Sequence, residues 1–282
     1  MRDIRLIATD LDGTLLDGTG HIRPYTRETL QECIRRGITV MFVSGRCHES
    51  ARLPALETGL EIAIASSNGA RIDRSQYGPT IYERLMDEKE CALAWSILQD
   101  CPGNVHAYIR GTNFVRSGSG ARATPEIRYA GEPSQLAEWC YDDIERMRRE
   151  SARNVHKFEV YSSDRGVLDE YGARCREAGF AVTSANDRDI EIQPADSTKG
   201  AAVLHMANIL GIGAEQVMAF GDYTNDISML REAGIGVAMA NAVAEVREMA
   251  DVIAPPNVFE GEARAIRTVV FGEKDIWPNM IR

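Results

Sequence analysis

The chain opens on an apolar run, Leu6 to Thr9, that gives way to a loop carrying Gly13, Gly18 and Gly20. Pro24 then starts a helical pattern that Gly37 closes, the usual placing of those two residue types at helix ends. A second, β-branched run from Ile38 to Val43 stops at Ser44-Gly45-Arg46, and a helical stretch ending near Gly59 leads to a third run, Ile62 to Ala65. These runs are apolar almost throughout rather than alternating, which predicts strands buried on both faces. The helix-length spacers between them predict right-handed βαβ crossovers and a parallel sheet. The expected fold class is therefore α/β, with helices on both faces of the sheet.

The rhythm then changes. Val105 to Ile109, Asn113 to Val115, Phe158 to Tyr161, Phe180 to Thr183 and Ile190 to Ile192 read as short strands, and helical patterns span Glu88 to Leu98, Glu132 to Arg149 and Val167 to Ala178. The βα alternation returns with a helix from Gly200 to Leu210 and strands at Val217 to Phe220, Ile235 to Met239 and Val252 to Ala254. A discontinuous core, residues 1–82 and 189–282, is thus expected to carry an inserted α+β domain at residues 83–188.

With 44% hydrophobic and 26% charged residues the chain has the composition of a packed globular protein, not of a disordered or fibrous one. No run approaches the roughly 20 apolar residues of a membrane helix, and the start leads directly into Ile4 to Ala8, so a cytoplasmic protein without membrane partners is expected. The net charge of -10, from 42 acidic against 32 basic residues, argues against nucleic acid as the main partner. Arg146-Met147-Arg148-Arg149 follows Glu145 in a helical pattern and reads as a solvated face. Six scattered cysteines without a C-x-x-C pair suggest reduced thiols rather than a zinc site or disulfide framework. The sequence assigns no oligomeric state.

In a parallel sheet, ligands bind beyond the strand ends, so polar residues that follow apolar runs are the first candidates for chemistry. Asp10 and Asp12 follow the first run, Ser44 and Gly45 the second, and Asp222, Asn225 and Asp226 the run Val217 to Phe220, while Lys199 precedes a helix. Phosphoryl transfer needs a nucleophile, positive charge around the phosphoryl group and a proton for the leaving oxygen. A carboxylate such as Asp10 can attack phosphorus to give an aspartyl-phosphate, and Asp12, two residues on in extended backbone, emerges on the same side to handle the proton. Carboxylates facing a phosphate demand a hard cation, and oxygen ligands suit Mg²⁺. Asp222 is the distant carboxylate that closes such a site, and Asp226, four residues on, shares one face of a starting helical turn with it. Lys199 offers a mobile charge for phosphate oxygens, and Ser44 with the Gly45 amide offers donors.

Each piece alone also has a bland reading. D-x-D-G after a strand can be a turn, Ser44-Gly45 a cap, Lys199 a solvated side chain and Asp222 a helix cap. A calcium loop beginning at Asp10 is disfavoured, because Leu15 stands at the glycine position and His21 at the acidic twelfth position. The coincidence of all four pieces, in order and at element ends, favours the catalytic reading.

At this point the sequence resembles the haloacid dehalogenase-like (HAD) phosphatase superfamily, and within it the Cof-type hydrolases with a large α/β cap. The resemblance is carried by Asp10-Leu11-Asp12-Gly13-Thr14-Leu15-Leu16, Val43-Ser44-Gly45-Arg46, Ser67-Asn68-Gly69-Ala70, Glu191-Ile192-Gln193-Pro194 through Lys199-Gly200, and Gly221-Asp222-Tyr223-Thr224-Asn225-Asp226. It implies a Rossmann-like core with the cap inserted between the second and third motifs. It also implies roles: Asp10 as nucleophile, Asp12 as general acid and base, Leu11, Ser44, Gly45, Lys199 and Asn225 around the phosphate, and Mg²⁺ held by Asp10, the Asp12 carbonyl and Asp222, with Asp226 as an outer or occasional ligand. The stretch Pro255-Pro256-Asn257-Val258-Phe259-Glu260-Gly261 departs from the pattern and reads as a peripheral loop.

The expected function is Mg²⁺-dependent hydrolysis of a small phosphomonoester, such as a sugar phosphate, with nucleotide, flavin mononucleotide and pyridoxal phosphate as rival substrates. A sugar phosphomutase and a non-catalytic phosphometabolite-binding regulator are the alternatives. The cap is the expected source of substrate choice, and Arg110, Arg116, Arg122 and Arg128 are its candidates for meeting a second anion.

Overall fold

The computed structural model describes residues 3–109, 112–116, 128–129, 132–133, 138–141 and 144–274. The first strands are β1 (Leu6–Thr9), β2 (Thr39–Val43), β3 (Ala63–Ser66), β4 (Arg71–Asp73) and β5 (Thr80–Glu83), with helices α1 (Pro24–Arg35), α2 (His48–Ala51) and α3 (Leu53–Thr58) between them. The chain then forms α4 (Glu88–Leu98), β6 (Asn104–Ile109), β7 (Thr112–Arg116), β8 (Arg128–Tyr129), β9 (Glu132–Pro133), β10 (Glu138–Tyr141), α5 (Ile144–Glu150), β11 (Val155–Tyr161), α6 (Arg165–Glu177), β12 (Ala181–Thr183) and β13 (Asp189–Gln193). It finishes with α7 (Lys199–Leu210), β14 (Val217–Gly221), α8 (Ile227–Glu232), β15 (Ile235–Met239), α9 (Ala244–Met249), β16 (Val252–Ala254) and α10 (Gly261–Val269).

The core sheet runs β16-β15-β14-β1-β2-β3-β4-β5. The pairs from β16 to β3 are parallel, as the apolar runs predict. β4 and β5 add two antiparallel strands that the sequence reading did not separate out. The link from Ser66 to Arg71 is too short for a crossover, so the chain must fold back on itself. Burial on both faces has a simple origin in β1: Ile7 joins one apolar cluster with Leu30 of α1 and Ile266 of α10, while Leu6 and Ala8 join another with Val203 of α7 and Met229 of α8. The chain winds from β1 through β2 to one side, and from β14 through β15 to the other. The switch point, where ligands bind in such sheets, is therefore the β1–β14 pair.

The second sheet runs β10-β7-β6-β11-β13-β12, and β8 and β9 form a separate pair. Val105, Phe158, Val160, Ile190 and Ile192 alternate onto one face, where Trp95 of α4 and Leu168 of α6 cover them. Two expectations are corrected here. The helix predicted over Glu132 to Arg149 is two short strands, β9 and β10, followed by α5. Pro133 cannot continue a helix, and Trp139-Cys140-Tyr141 favours extended backbone. The return to the core predicted at residue 189 falls after Gln193, because Asp189–Gln193 is hydrogen-bonded between β11 and β12 in the second sheet. Among the described residues no helix is long and apolar enough to cross a membrane. Cys33, Cys47, Cys91, Cys101 and Cys175 are buried free thiols.

Candidate active site

β1 and β14 lie side by side in register, Thr9 opposite Phe220, so the residues that follow them emerge together. The Asp10 amide donates to the Phe220 carbonyl at 3.1 Å, which ties the start of the first loop to the neighbouring strand. Beyond it the backbone turns through Leu11–Leu15 with Gly13 at φ 81°. Gly13 is required twice over: that φ favours glycine, and a Cβ there would stand 2.3 Å from Asp222 Oδ2. Thr14 Oγ1 donates to Asp222 Oδ1 at 2.9 Å, and Asn241 Nδ2 donates to the Gly13 carbonyl at 2.8 Å.

Carboxylate oxygens of Asp10, Asp222 and Asp226 all lie within 4.8 Å of one another. Lys199, the first residue of α7, is 1% exposed, and its Nζ donates to Asp10 Oδ1 and Asp226 Oδ1, each at 2.6 Å. Asp226 Oδ2 accepts from the Asp222 and Tyr223 amides at 2.8 and 3.0 Å, closing the turn after β14. Burial, reinforced by Asp226 and Asp222, pushes the Asp10 carboxyl well above the usual range, although Lys199 pulls against it. Burial and then Asp226 raise Asp222 to about 7. Burial alone would lower the Lys199 ammonium, but Asp10 and Asp226 outweigh it and raise it. Three carboxylates, Asp10 and Asp226 buried and Asp222 half-buried, against one ammonium form an all-oxygen donor set with excess negative charge, which suits a hard divalent cation.

Asp12 stands apart from this trio. Its side chain is 63% exposed, and its carboxylate is gripped by Arg46, with Nε donating to Oδ2 at 2.7 Å and the second nitrogen to Oδ1 at 2.5 Å. Asp12 is nevertheless in the same cavity as Asp10, a space of about 430 Å³ between the two sheets that Ser44, Gly45 and Asn225 also line. Leu11 is buried with its side chain in the core. Ser44 is buried, with Oγ accepting the Arg46 amide at 3.2 Å. Gly45 lies against the second sheet, where a Cβ would meet Glu191 Oε1 at 2.5 Å. Asn225 Nδ2 reaches Glu191 Oε2 at 3.3 Å and Asn68 Oδ1 at 3.4 Å rather than the carboxylate trio.

Several residues here had no role in the sequence reading. Arg46, Thr14, Asn68 and Glu191 sit within the quoted motifs, and their partners became visible only on folding. The second sheet supplies Tyr108, Lys157, Glu159 and Tyr161 to the cavity; their signal was polar side chains alternating with apolar ones in β6 and β11. The supposedly peripheral loop at 255–261 is a brace, since Asn257 Nδ2 donates to the Leu16 carbonyl at 2.8 Å and the Asn257 amide to Asn241 Oδ1 at 3.0 Å. Arg110 and Arg122 lie outside the described residues, and of Arg116 and Arg128 only the strand backbone is described.

Comparison with known proteins identifies the family and the fold. The model of the haloacid dehalogenase-like hydrolase family matches residues 7–266. A 5-amino-6-(5-phospho-D-ribitylamino)uracil phosphatase of Bacillus subtilis is 30% identical over 269 residues, covering 94% of this chain and 95% of its own. A second B. subtilis phosphatase of the same stated activity is 28% identical, covering 96% and 99%. Among solved structures, a haloacid dehalogenase-like hydrolase from B. subtilis superposes with a TM-score of 0.84 over 95% of this chain and 100% of that one, at 24% identity, and shows the same fold. The chain belongs to the haloacid dehalogenase-like hydrolases, in their Cof-type branch.

Proposed function

We propose that the protein is a Mg²⁺-dependent phosphatase that hydrolyses a small phosphomonoester through an aspartyl-phosphate on Asp10. The observation that carries this reading is the trio Asp10, Asp222 and Asp226 gathered at the sheet's switch point, with the Lys199 ammonium bonded to Asp10 and Asp226 and Asp10 also facing the cavity. Asp10, the Asp12 carbonyl, Asp222 and Asp226 would hold the Mg²⁺, which supplies charge neutralisation for the phosphoryl oxygens.

In the first step an Asp10 oxygen forms a bond to phosphorus while the bond to the substrate alcohol breaks, and Asp12 gives the departing oxygen its proton. In the second step Asp12 takes a proton from water, the water oxygen bonds to phosphorus, and the acyl phosphate bond to Asp10 breaks. Lys199, Ser44 and the amides of Leu11 and Gly45 bind phosphoryl oxygens, with Asn225 beside them. Arg46 adds a positioning role by holding the Asp12 carboxylate within the cavity. The substrate is a small phosphorylated metabolite rather than nucleic acid, in keeping with an acidic chain and a cavity of about 430 Å³, and the cytoplasm is its expected compartment. A phosphate ester on a ribityl chain, the stated substrate of the 30%-identical relative, falls within this class.

Phosphate release from a panel of metabolite esters, with Mg²⁺ and with chelator, tests the proposal. Release should require the metal, and Asp10→Asn should lower kcat by at least about 10³-fold. Turnover by Asp10→Asn at the wild-type rate would sink the mechanism.

A further inference from the structure

The face of the second sheet that looks into the cavity is built by register. On β11, Lys157, Glu159 and Tyr161 alternate with Phe158 and Val160, which are buried in the apolar cluster on the other side. Pairing sets Glu159 directly opposite His106 on β6 and Glu191 on β13, Lys157 opposite Tyr108, and Tyr161 opposite Asp189. Glu159 and Glu191 are 2% and 1% exposed, and Lys157 is 1% exposed. Lys157 Nζ donates to Glu191 Oε1, lies 3.3 Å from Glu159 Oε2, and sits 4.4 Å above the Tyr108 ring. Burial and the Glu159 carboxylate push the Tyr108 and Tyr161 phenols up, so both stay O–H donors.

Burying two carboxylates and an ammonium costs several kcal/mol of desolvation, and apolar residues of similar volume commonly hold a sheet as well or better. Here the ions are not in the apolar cluster but on the cavity wall, facing Asp10 and Asp12 across the space where a leaving group would lie. Among the described residues that line the cavity the cations are Lys157 on this wall, which faces two carboxylates, and Arg46 on the core side, which is engaged by Asp12. The described part of the wall therefore offers carboxylate acceptors, phenolic hydroxyls that share Glu159, and a negative balance.

We propose that Lys157, Glu159 and Glu191, with the Tyr108 and Tyr161 hydroxyls, form the recognition surface for the substrate's leaving group, and that this surface selects an uncharged, hydroxyl-bearing alcohol and rejects one carrying a second anion. Carboxylates accept from sugar or polyol hydroxyls in charge-assisted bonds, whereas a carboxylate or phosphate on the leaving group meets like charge in a water-poor wall. The inference rests on the phosphatase reading of the same cavity.

The test measures binding and turnover separately. Calorimetry with the full-length Asp10→Asn chain and Mg²⁺ should give a Kd for ribitol 5-phosphate or a hexose monophosphate at least tenfold lower than for 2-phosphoglycolate or a hexose bisphosphate. Adding Glu159→Gln should narrow that ratio tenfold or more, weakening the neutral ester and tightening phosphoglycolate. A purely structural role would shift both ligands the same way. Equal, reversed or absent preference overturns the inference, as does an unchanged ratio in a folded Glu159→Gln chain; should that variant not fold, the ratio in the Asp10→Asn chain decides. Discrimination in binding with no Mg²⁺-dependent phosphate release from any ester by the wild type would leave the recognition surface standing and remove the phosphatase reading. Release without discrimination would do the reverse.

Discussion

Thr9 Oγ1 lies 2.8 Å from the Asp10 carbonyl oxygen and 2.8 Å from Glu262 Oε2. The Thr9 hydroxyl thus donates toward both oxygens and ties the Glu262 carboxyl to the end of β1. Burial pushes Glu262 up to about 8 from an ordinary 4.5, against the pull of the Thr9 bond, so the folded carboxyl holds its proton through neutral pH. The folded chain then keeps this proton over a range where the unfolded chain releases it. Its stability contribution is full below pH 4.5, falls as pH rises through about 8 and is level above. At about 1.4 kcal/mol per pKa unit the linked change is a few kcal/mol. Glu262→Gln should flatten this part of the stability profile and leave the chain more stable than wild type at pH 9, as read by chemical denaturation at several pH values. A second residue-scale expectation concerns Thr14, whose hydroxyl orients Asp222. Thr14→Val should raise the Mg²⁺ concentration for half-maximal activity by about 10- to 100-fold, measured by metal titration of phosphate release.

Among the elements, the loop between β16 and α10 does more than close the fold. Asn257 and Asn241 form a relay that bonds the Leu16 and Gly13 carbonyls, so the loop after β1 is held from both ends of its turn. Asn257→Ala removes one such bond, and a loss of about 1 kcal/mol with a fall in Tm of about 2–4 °C is expected by scanning calorimetry. The same change should lower kcat more than it raises KM, because the loop carries Asp10 and Asp12. β11 shows the opposite kind of element, whose alternation is ordinary and whose polar face is not. In a half-buried strand that face meets water and its charges are screened. Here the pairing with β6 and β13 and the opposing core put Lys157, Glu159 and Glu191 out of water.

At the scale of the molecule, the proposed Mg²⁺ site at the Asp10, Asp222 and Asp226 carboxylates would couple metal binding to folding. A cation that binds only the folded chain stabilises it by about 2.7 kcal/mol at a hundredfold excess over its Kd, and Mg²⁺ should therefore raise Tm by about 5 to 10 °C, reversibly with chelator. Asp222→Asn should abolish that shift in a thermal melt. The sequence by itself determined the α/β core, the strand ends that carry Asp10, Ser44 and Asp222, and Lys199 at the start of α7. These follow from local physics: apolar runs make buried strands, and polar residues at their ends cannot be buried there without a purpose. Only the tertiary structure decided that Asp189–Gln193 joins the second sheet, that Asp12 faces Arg46, that Asn257 and Glu262 brace the loop from over 240 residues away, and that Glu159 and Glu191 stand side by side on one cavity wall. Those outcomes depend on strand order, register and the closing of one sheet over another, and such long-range contacts leave no periodic trace in the chain, because each partner's own neighbours look the same with or without the contact.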